Sequence, residues 1–249
     1  MKKHLVVFDF GHGGDDSGAI GVHGEQEKDI VFSLKSRILK EAKRQGAFKA
    51  WFTRTGDKTV SLKDRVEVAN SREAKLFVSL HCNWFNKPSA KGIETFHYKY
   101  SKRSEMIAEI FQTFLMTASP THVDRGSKGG NFYVLRETDM PAVLLELGFM
   151  SNPHDMYAMH SDEWLDVIAK VIVEATLYSL NNLQTEAEET PLPRYQPDAS
   201  TESWTSAFDT VLEAQSYQPS TRSAPSGWRR WLGRIAEVVF LEWVRSRTF

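Results

Sequence analysis

The chain has a single cysteine in 249 residues. That excludes an internal disulfide framework, and Cys82 alone cannot build a zinc–thiolate site. Neither charge is in excess, because 31 Lys and Arg stand against 32 Asp and Glu. Nothing therefore draws the chain globally to nucleic acid or another polyanion, and no nucleic-acid partner is expected. No apolar run approaches the ~20 residues that a membrane span requires. Lys2 and Lys3 open like an export signal, but the apolar run from Leu5 to Phe8 is broken at Asp9 and no small-residue cleavage site follows. The expectation is cytoplasmic synthesis without a signal peptide. Nothing repeats, and a monomer is expected.

What is present is ordinary globular material, 41% hydrophobic and 25% charged, long enough for one sizeable domain plus something small. Strand-like and helix-like patterns alternate. Val6-Val7-Phe8 is a short β-branched and aromatic run. From Lys28 to Gln45, Ile30, Val31, Leu34, Ile38 and Ala42 recur at helical spacing, with Gly46 as a C-cap. Ala47 to Thr53 reads as a strand, and Ser61-Leu62-Lys63-Asp64 caps a helix to Asn70. Leu76 to Leu80 and Gly92 to Tyr98 read as extended, and Ser104 to Ala118 as an amphipathic helix. Asp124 to Gly130 reads as a glycine-rich loop, followed by a strand around Phe132 to Leu135, another strand ending at Glu146, and a helix from Trp164 to Leu180. The alternation predicts an α/β three-layer sandwich, a twisted, mostly parallel mixed sheet flanked by helices.

The character changes after residue 181. Five of the nine prolines lie beyond residue 190, so residues 182–226 read as a polar Pro/Ser-rich linker without a core. Residues 227–249 read as an amphipathic basic C-terminal helix. Trp228, Trp231, Leu232, Ile235, Val238, Val239 and Trp243 share one face, while Arg229, Arg230, Arg234 and Arg245 point elsewhere. Such a helix either docks on the main domain or touches a membrane or anionic envelope.

Three apolar runs end in residues that carry chemistry. The first ends in Gly11-His12-Gly13-Gly14, the second in His81-Cys82-Asn83, the third in Glu146-Leu147-Gly148-Phe149. Strand ends are where α/β folds place their sites. Between the first two lies Glu25-Gln26-Glu27-Lys28-Asp29, a carboxylate cluster opening a helix. Catalytic zinc takes three ligands from His and carboxylate and keeps a position for water. His12, a glutamate of that cluster and His81 supply such a set, and Glu146 can serve as general base. By spacing alone, Glu25 and Glu27 are rivals for the third ligand. His23, His97, His122, His154 and His160 lack a strand-end context and read as surface or packing histidines. Cys82 should face the core when its neighbour His81 faces the cleft. Asp9 could orient a ligand imidazole.

Four segments resemble the motifs of the zinc-dependent N-acetylmuramoyl-L-alanine amidases of the amidase-3 family. They are Phe8 to Ala19, Gly21 to Asp29, Ser79 to Asn83, and Pro141 to Asn152, in the family's order. Phe10 and Ser17 stand where the family often has proline. The resemblance selects Glu27 over Glu25. It implies that His12, Glu27 and His81 bind zinc, that Glu146 is catalytic, and that residues 1–181 form the zinc amidase domain. The implied reaction is hydrolysis of the amide joining N-acetylmuramic acid to L-alanine in peptidoglycan. Asn83, Glu94 and Arg125 are candidates to contact the muropeptide substrate. The plan of catalytic domain, linker and tail resembles a phage endolysin that acts on the wall after release. A mother-cell lytic amidase of sporulation and a zinc peptidase acting on wall peptides are the alternatives. A zinc peptidase of the carboxypeptidase type would bring its first two ligands closer together than His12 and Glu27.

Overall fold

The computed structural model describes residues 3–185. The linker and tail at 182–226 and 227–249 lie outside those residues, apart from the last turn of one helix.

Six strands form one sheet. They are β1 (His4–Phe10), β2 (Phe48–Phe52), β3 (Leu76–Asn83), β4 (Ile93–Tyr98), β5 (Asp124–Gly130) and β6 (Ala142–Phe149). Their spatial order is β2-β1-β3-β6-β4-β5. Every neighbouring pair is parallel except β4 with β6. The expected mixed, mostly parallel sheet is therefore present. The helices are α1 (Glu27–Gln45), α2 (Leu62–Asn70), α3 (Lys102–Ala118), α4 (Tyr133–Arg136), α5 (Pro153–His160) and α6 (Asp162–Thr185).

Alternation along the strands sends neighbouring residues to opposite faces. Val7, Phe77 and Leu144 pack with Val66 and Ala69 of α2 and Val134 and Leu135 of α4. On the other face Phe10 meets Phe32 of α1 edge-on, with ring centroids 5.9 Å apart. Helix α6 packs against both α1 and α3. This is the three-layer arrangement that the alternating pattern implies. Helix ends follow the local chemistry. Gly46 ends α1 in the left-handed conformation at φ 64°, and Ser61 and Ser101 accept from the N–H groups of Asp64 and Ser104.

Two expectations are corrected. Asp124–Gly130 is not a loop but strand β5, paired with β4 at the sheet edge. Glycine-rich composition hides a strand whose pairing comes from its neighbour. Phe132 to Leu135 is not a strand but the start of the short helix α4, with Val134 and Leu135 buried on one side. Four apolar residues cannot distinguish the two periods. Helix α5 was not expected from the sequence; Asn152 caps it and Pro153 opens it.

The end of β1 is held from below by a buried ion pair. Arg65 Nη1 lies 2.7 Å from Asp9 Oδ1, with both side chains under 5% exposed. Thr53 and Ser79 donate their hydroxyls to the same carboxylate at 2.6 and 2.7 Å. Asp9 therefore does not orient a ligand imidazole. It holds Arg65, which in turn donates to the carbonyls of Phe10 and His12, each at 2.7 Å. Arg54, equally buried, donates to the carbonyls of Phe10, Gly11 and Lys28.

Burial alone would raise the Asp9 carboxyl, but the Arg65 charge and the three side-chain hydrogen bonds outweigh it and hold it below its usual value. A carboxyl depressed in the folded state adds stability that is present above its unfolded pKa of about 3.9 and is lost as pH falls through the folded value. Arg65→Met leaves that carboxylate buried without its cation, and should cost about 3–5 kcal/mol at pH 7. Urea denaturation of the two proteins at pH 7 measures it; a loss below 1 kcal/mol would refute a structural role for the pair.

Candidate metal centre and catalytic carboxylate

The loop after β1 carries His12 in an unusual backbone state. His12 has φ 58°, and Gly13 and Gly14 follow at 124° and 61°. A non-glycine residue there is strained and persists only where its surroundings hold it. Here Arg65 holds the His12 carbonyl from behind. Asp16 Oδ2 contacts His12 Nδ1 at 2.9 Å, which leaves Nε2 pointing at Glu27 Oε2 at 3.0 Å.

Glu27 is the first residue of α1, and its side chain is nearly fully buried. Its carboxylate is positioned by the backbone N–H of Ala19 on Oε2 and of Cys82 on Oε1, both at 2.9 Å. On the far side of it, His81 presents Nδ1 to Oε1 at 2.9 Å. The donor atoms of His12, Glu27 and His81 all lie within 4.8 Å of one another, close enough to share one metal ion. Burial by itself would raise Glu27, yet its hydrogen bonds to His12 and His81 and their charge keep it far below the carboxylate range.

Two glycines make room for this cluster. A Cβ on Gly11 would stand 2.3 Å from His81 Cε1, and one on Gly18 would stand 2.6 Å from both Glu27 Oε2 and His12 Cδ2. Gly18 also lies at φ 66°. The donor set, two imidazoles and one carboxylate, and the space left for it by glycine both fit a catalytic zinc.

The sheet register sets the fourth residue. His81 on β3 pairs with Glu146 on β6, and Glu146 pairs with Glu94 on β4. The three side chains thus share one row across three strands. Glu146 Oε2 is shut off from solvent and has no hydrogen-bond partner among the described residues. Burial first, then the charges of Glu27 and Glu94, push its carboxyl well above the ordinary range. A carboxyl with one buried, unused oxygen and a raised proton affinity is a candidate for proton exchange.

Glu94, at the end of this row, joins Asn83 and Arg125 in one network. Asn83 Nδ2 donates to Glu94 Oε1 at 2.7 Å. Arg125 Nε donates to Glu94 Oε2 at 2.8 Å, and Lys128 Nζ bonds the same oxygen. Arg125 also lies over the Phe149 ring, 4.8 Å from its centroid. Lys128, Arg54, Arg65 and Asp16 were not foreseen. Lys128 on β5 and the buried Arg54 and Arg65 carry no local signal, because their partners are remote in sequence, whereas Asp16 lies only four residues from His12. Glu25 is out of the cluster: it accepts from the His23 N–H and faces His160 at 3.4 Å.

Cys82 is buried, as alternation required. Burial, and then the charges of Glu27, Glu146 and Asp155, push its thiol well above its usual value. It cannot serve as a thiolate nucleophile at neutral pH. A thiol reagent at pH 8 should leave the native protein unlabelled and modify one cysteine per chain after denaturation; rapid labelling of the native chain would contradict this burial.

The family model described as N-acetylmuramoyl-L-alanine amidase matches residues 6–178. The chain is 39% identical over 191 residues to an uncharacterized cell wall amidase of Bacillus anthracis, covering 71% of this chain and 35% of that one. It thus spans about a third of that relative. It is 33% identical over 205 residues to an endolysin of Bacillus phage SPP1, covering 80% of this chain and 74% of the endolysin. Among solved structures, the catalytic domain of the amidase CwlV from Bacillus (Paenibacillus) polymyxa var. colistinus superposes with a TM-score of 0.68 at 32% identity, covering 72% of this chain and 98% of that domain. An N-acetylmuramoyl-L-alanine amidase from Clostridium difficile 630 gives a TM-score of 0.70 at 32% identity, covering 73% and 98%. With a matched segment that contains both the His–Glu–His cluster and Glu146, the chain belongs to the N-acetylmuramoyl-L-alanine amidase family, Amidase_3.

Proposed function

We propose that this domain hydrolyses the amide between N-acetylmuramic acid and L-alanine in peptidoglycan, with His12, Glu27 and His81 holding a zinc ion and Glu146 as the acid–base residue. The observation that carries the reading is the placing of Glu146, whose unpartnered buried oxygen lies in register with His81 beside the donor cluster. Zinc bound there supplies a Lewis acid that lowers the pKa of water and polarises the scissile carbonyl.

The chain's own residues supply the rest. His12, Glu27 and His81 fix the ion's position through backbone and carboxylate contacts that do not depend on substrate. Glu146 takes a proton from the attacking water and returns it to the leaving amide nitrogen. Burial raises its proton affinity, which suits the second half of that exchange, donation to the leaving nitrogen. Glu94 keeps Asn83, Arg125 and Lys128 together at the edge of the row. Asn83 and Arg125 are placed to bind the polar and anionic groups of the stem peptide, and Glu94 positions them.

The setting that fits best is an endolysin that reaches the wall after release, in keeping with the similarity to the phage SPP1 endolysin over most of both chains. A lytic amidase of sporulation is the alternative. No helix among the described residues is long and apolar enough to cross a membrane. Contact with an anionic envelope would fall to residues 227–249.

Glu146→Gln should keep the bound zinc while lowering turnover of purified peptidoglycan by about 10²–10⁴-fold. Zinc analysis and mass identification of released products test both parts. Wild-type products should be intact stem peptides with a free N-terminal alanine. Fragments cut within the stem would make the enzyme a peptidase instead.

A further inference from the structure

A second cluster of the same donor class lies away from the catalytic row. His122, in the turn between α3 and β5, and His154 and Asp155, in the first turn of α5, bring their donor atoms within 4.8 Å of one another. The sequence alone marks these histidines as surface or packing residues. We propose that His122, His154 and Asp155 bind a second transition-metal ion, zinc by the chemistry of the donors, separate from the one assigned to His12, Glu27 and His81.

The cluster is built, not incidental to the surface. Asp155 is 0% exposed. Its Oδ2 accepts from the backbone N–H groups of Gly92 and Phe149 at 2.7 and 2.9 Å, so the carboxylate is fixed in place. Its other oxygen, Oδ1, is turned to His154 Nδ1 at 3.3 Å. His122 is 5% exposed. Its ring stacks on Trp164 with centroids 5.6 Å apart and planes 24° apart, and meets the edge of the His154 ring at 5.2 Å. Trp164 is itself anchored, donating from Nε1 to Ser119 Oγ at 3.1 Å. His154 is the half-exposed member, so one side of the cluster opens to solvent.

Glycine again permits the approach. A Cβ on Gly148, at φ 151°, would stand 3.1 Å from Asp155 Cβ, and one on Gly92, at φ 108°, would stand 2.2 Å from the Val123 carbonyl. Two imidazoles and one carboxylate suit zinc and its neighbours in the transition series rather than calcium or magnesium, which prefer oxygen donors. The open side provides a fourth position for water. The ion would clamp the turn holding His122 to α5, against the ends of β6 and β4, a few residues from Glu146 and Glu94.

The test is metal stoichiometry on the full chain after chelator treatment and reloading with zinc at pH 7.5. Wild type should hold two zinc ions per chain. His154→Ala, at a half-exposed position that folding tolerates, should hold one and still digest peptidoglycan. His81→Ala should hold one and lose digestion, and its melting temperature should still rise with zinc. His81→Ala combined with His154→Ala should hold none and show no zinc-dependent rise. Equal zinc content in wild type and His154→Ala, or an unchanged zinc response in the double variant, would overturn the second site. These readouts do not require amidase activity, so failure of the proposed reaction would appear separately, as two bound ions without digestion.

Discussion

The site rests on buried positive charge under the end of β1. Arg65 is locked by the Asp9 carboxylate, and Arg54 lies beside it. Together their guanidinium groups take up the carbonyls of Phe10, Gly11 and His12. Without them, a loop with three consecutive left-handed residues would carry buried unpaired carbonyls and a strained histidine. Arg54 also bonds the Lys28 carbonyl, next to Glu27. One buried cation thus ties the loop that bears His12 to the helix that bears Glu27. Its planar, multi-donor head can do this where lysine could not.

The second constraint is strand register. Parallel pairing of β1, β3 and β6 brings their carboxyl ends to one edge of the sheet. The antiparallel β4 then delivers the start of its own strand, with Glu94, to that same edge. Three acidic groups, Glu27, Glu94 and Glu146, consequently share a small volume and respond differently. Glu27 is held charged by two imidazoles and two backbone donors. Glu94 is neutralised by Arg125 and Lys128. Glu146 has neither, and burial beside the other two favours its protonated form. The three different charge states follow from which cations stand next to each carboxylate.

Much of the fold was legible because it rests on local pattern. The apolar runs at Val6, Leu76 and Ala142, the helical spacing from Ile30 to Ala42, and the caps at Gly46 and Ser61 are all present in the structure. The failures share a cause. Asp124–Gly130 becomes a strand because β4 offers it a ladder, and four residues around Phe132 carry too little periodicity to be typed. Asp9 reads in the sequence as a residue that could orient a ligand imidazole, whereas its partners, Arg65, Thr53 and Ser79, come from three other segments.

The sequence by itself determined most of the strand and helix segments, the strand ends that carry His12, His81 and Glu146, and the family, because each is written in residues close along the chain. Only the tertiary structure decided between Glu25 and Glu27 on geometry, joined Asn83, Glu94 and Arg125 into one network, placed Arg54 and Arg65 beneath the loop, and gathered His122 with His154 and Asp155. Those outcomes depend on distances between segments remote in sequence. Sheet register and burial fix such distances, and no local pattern encodes them.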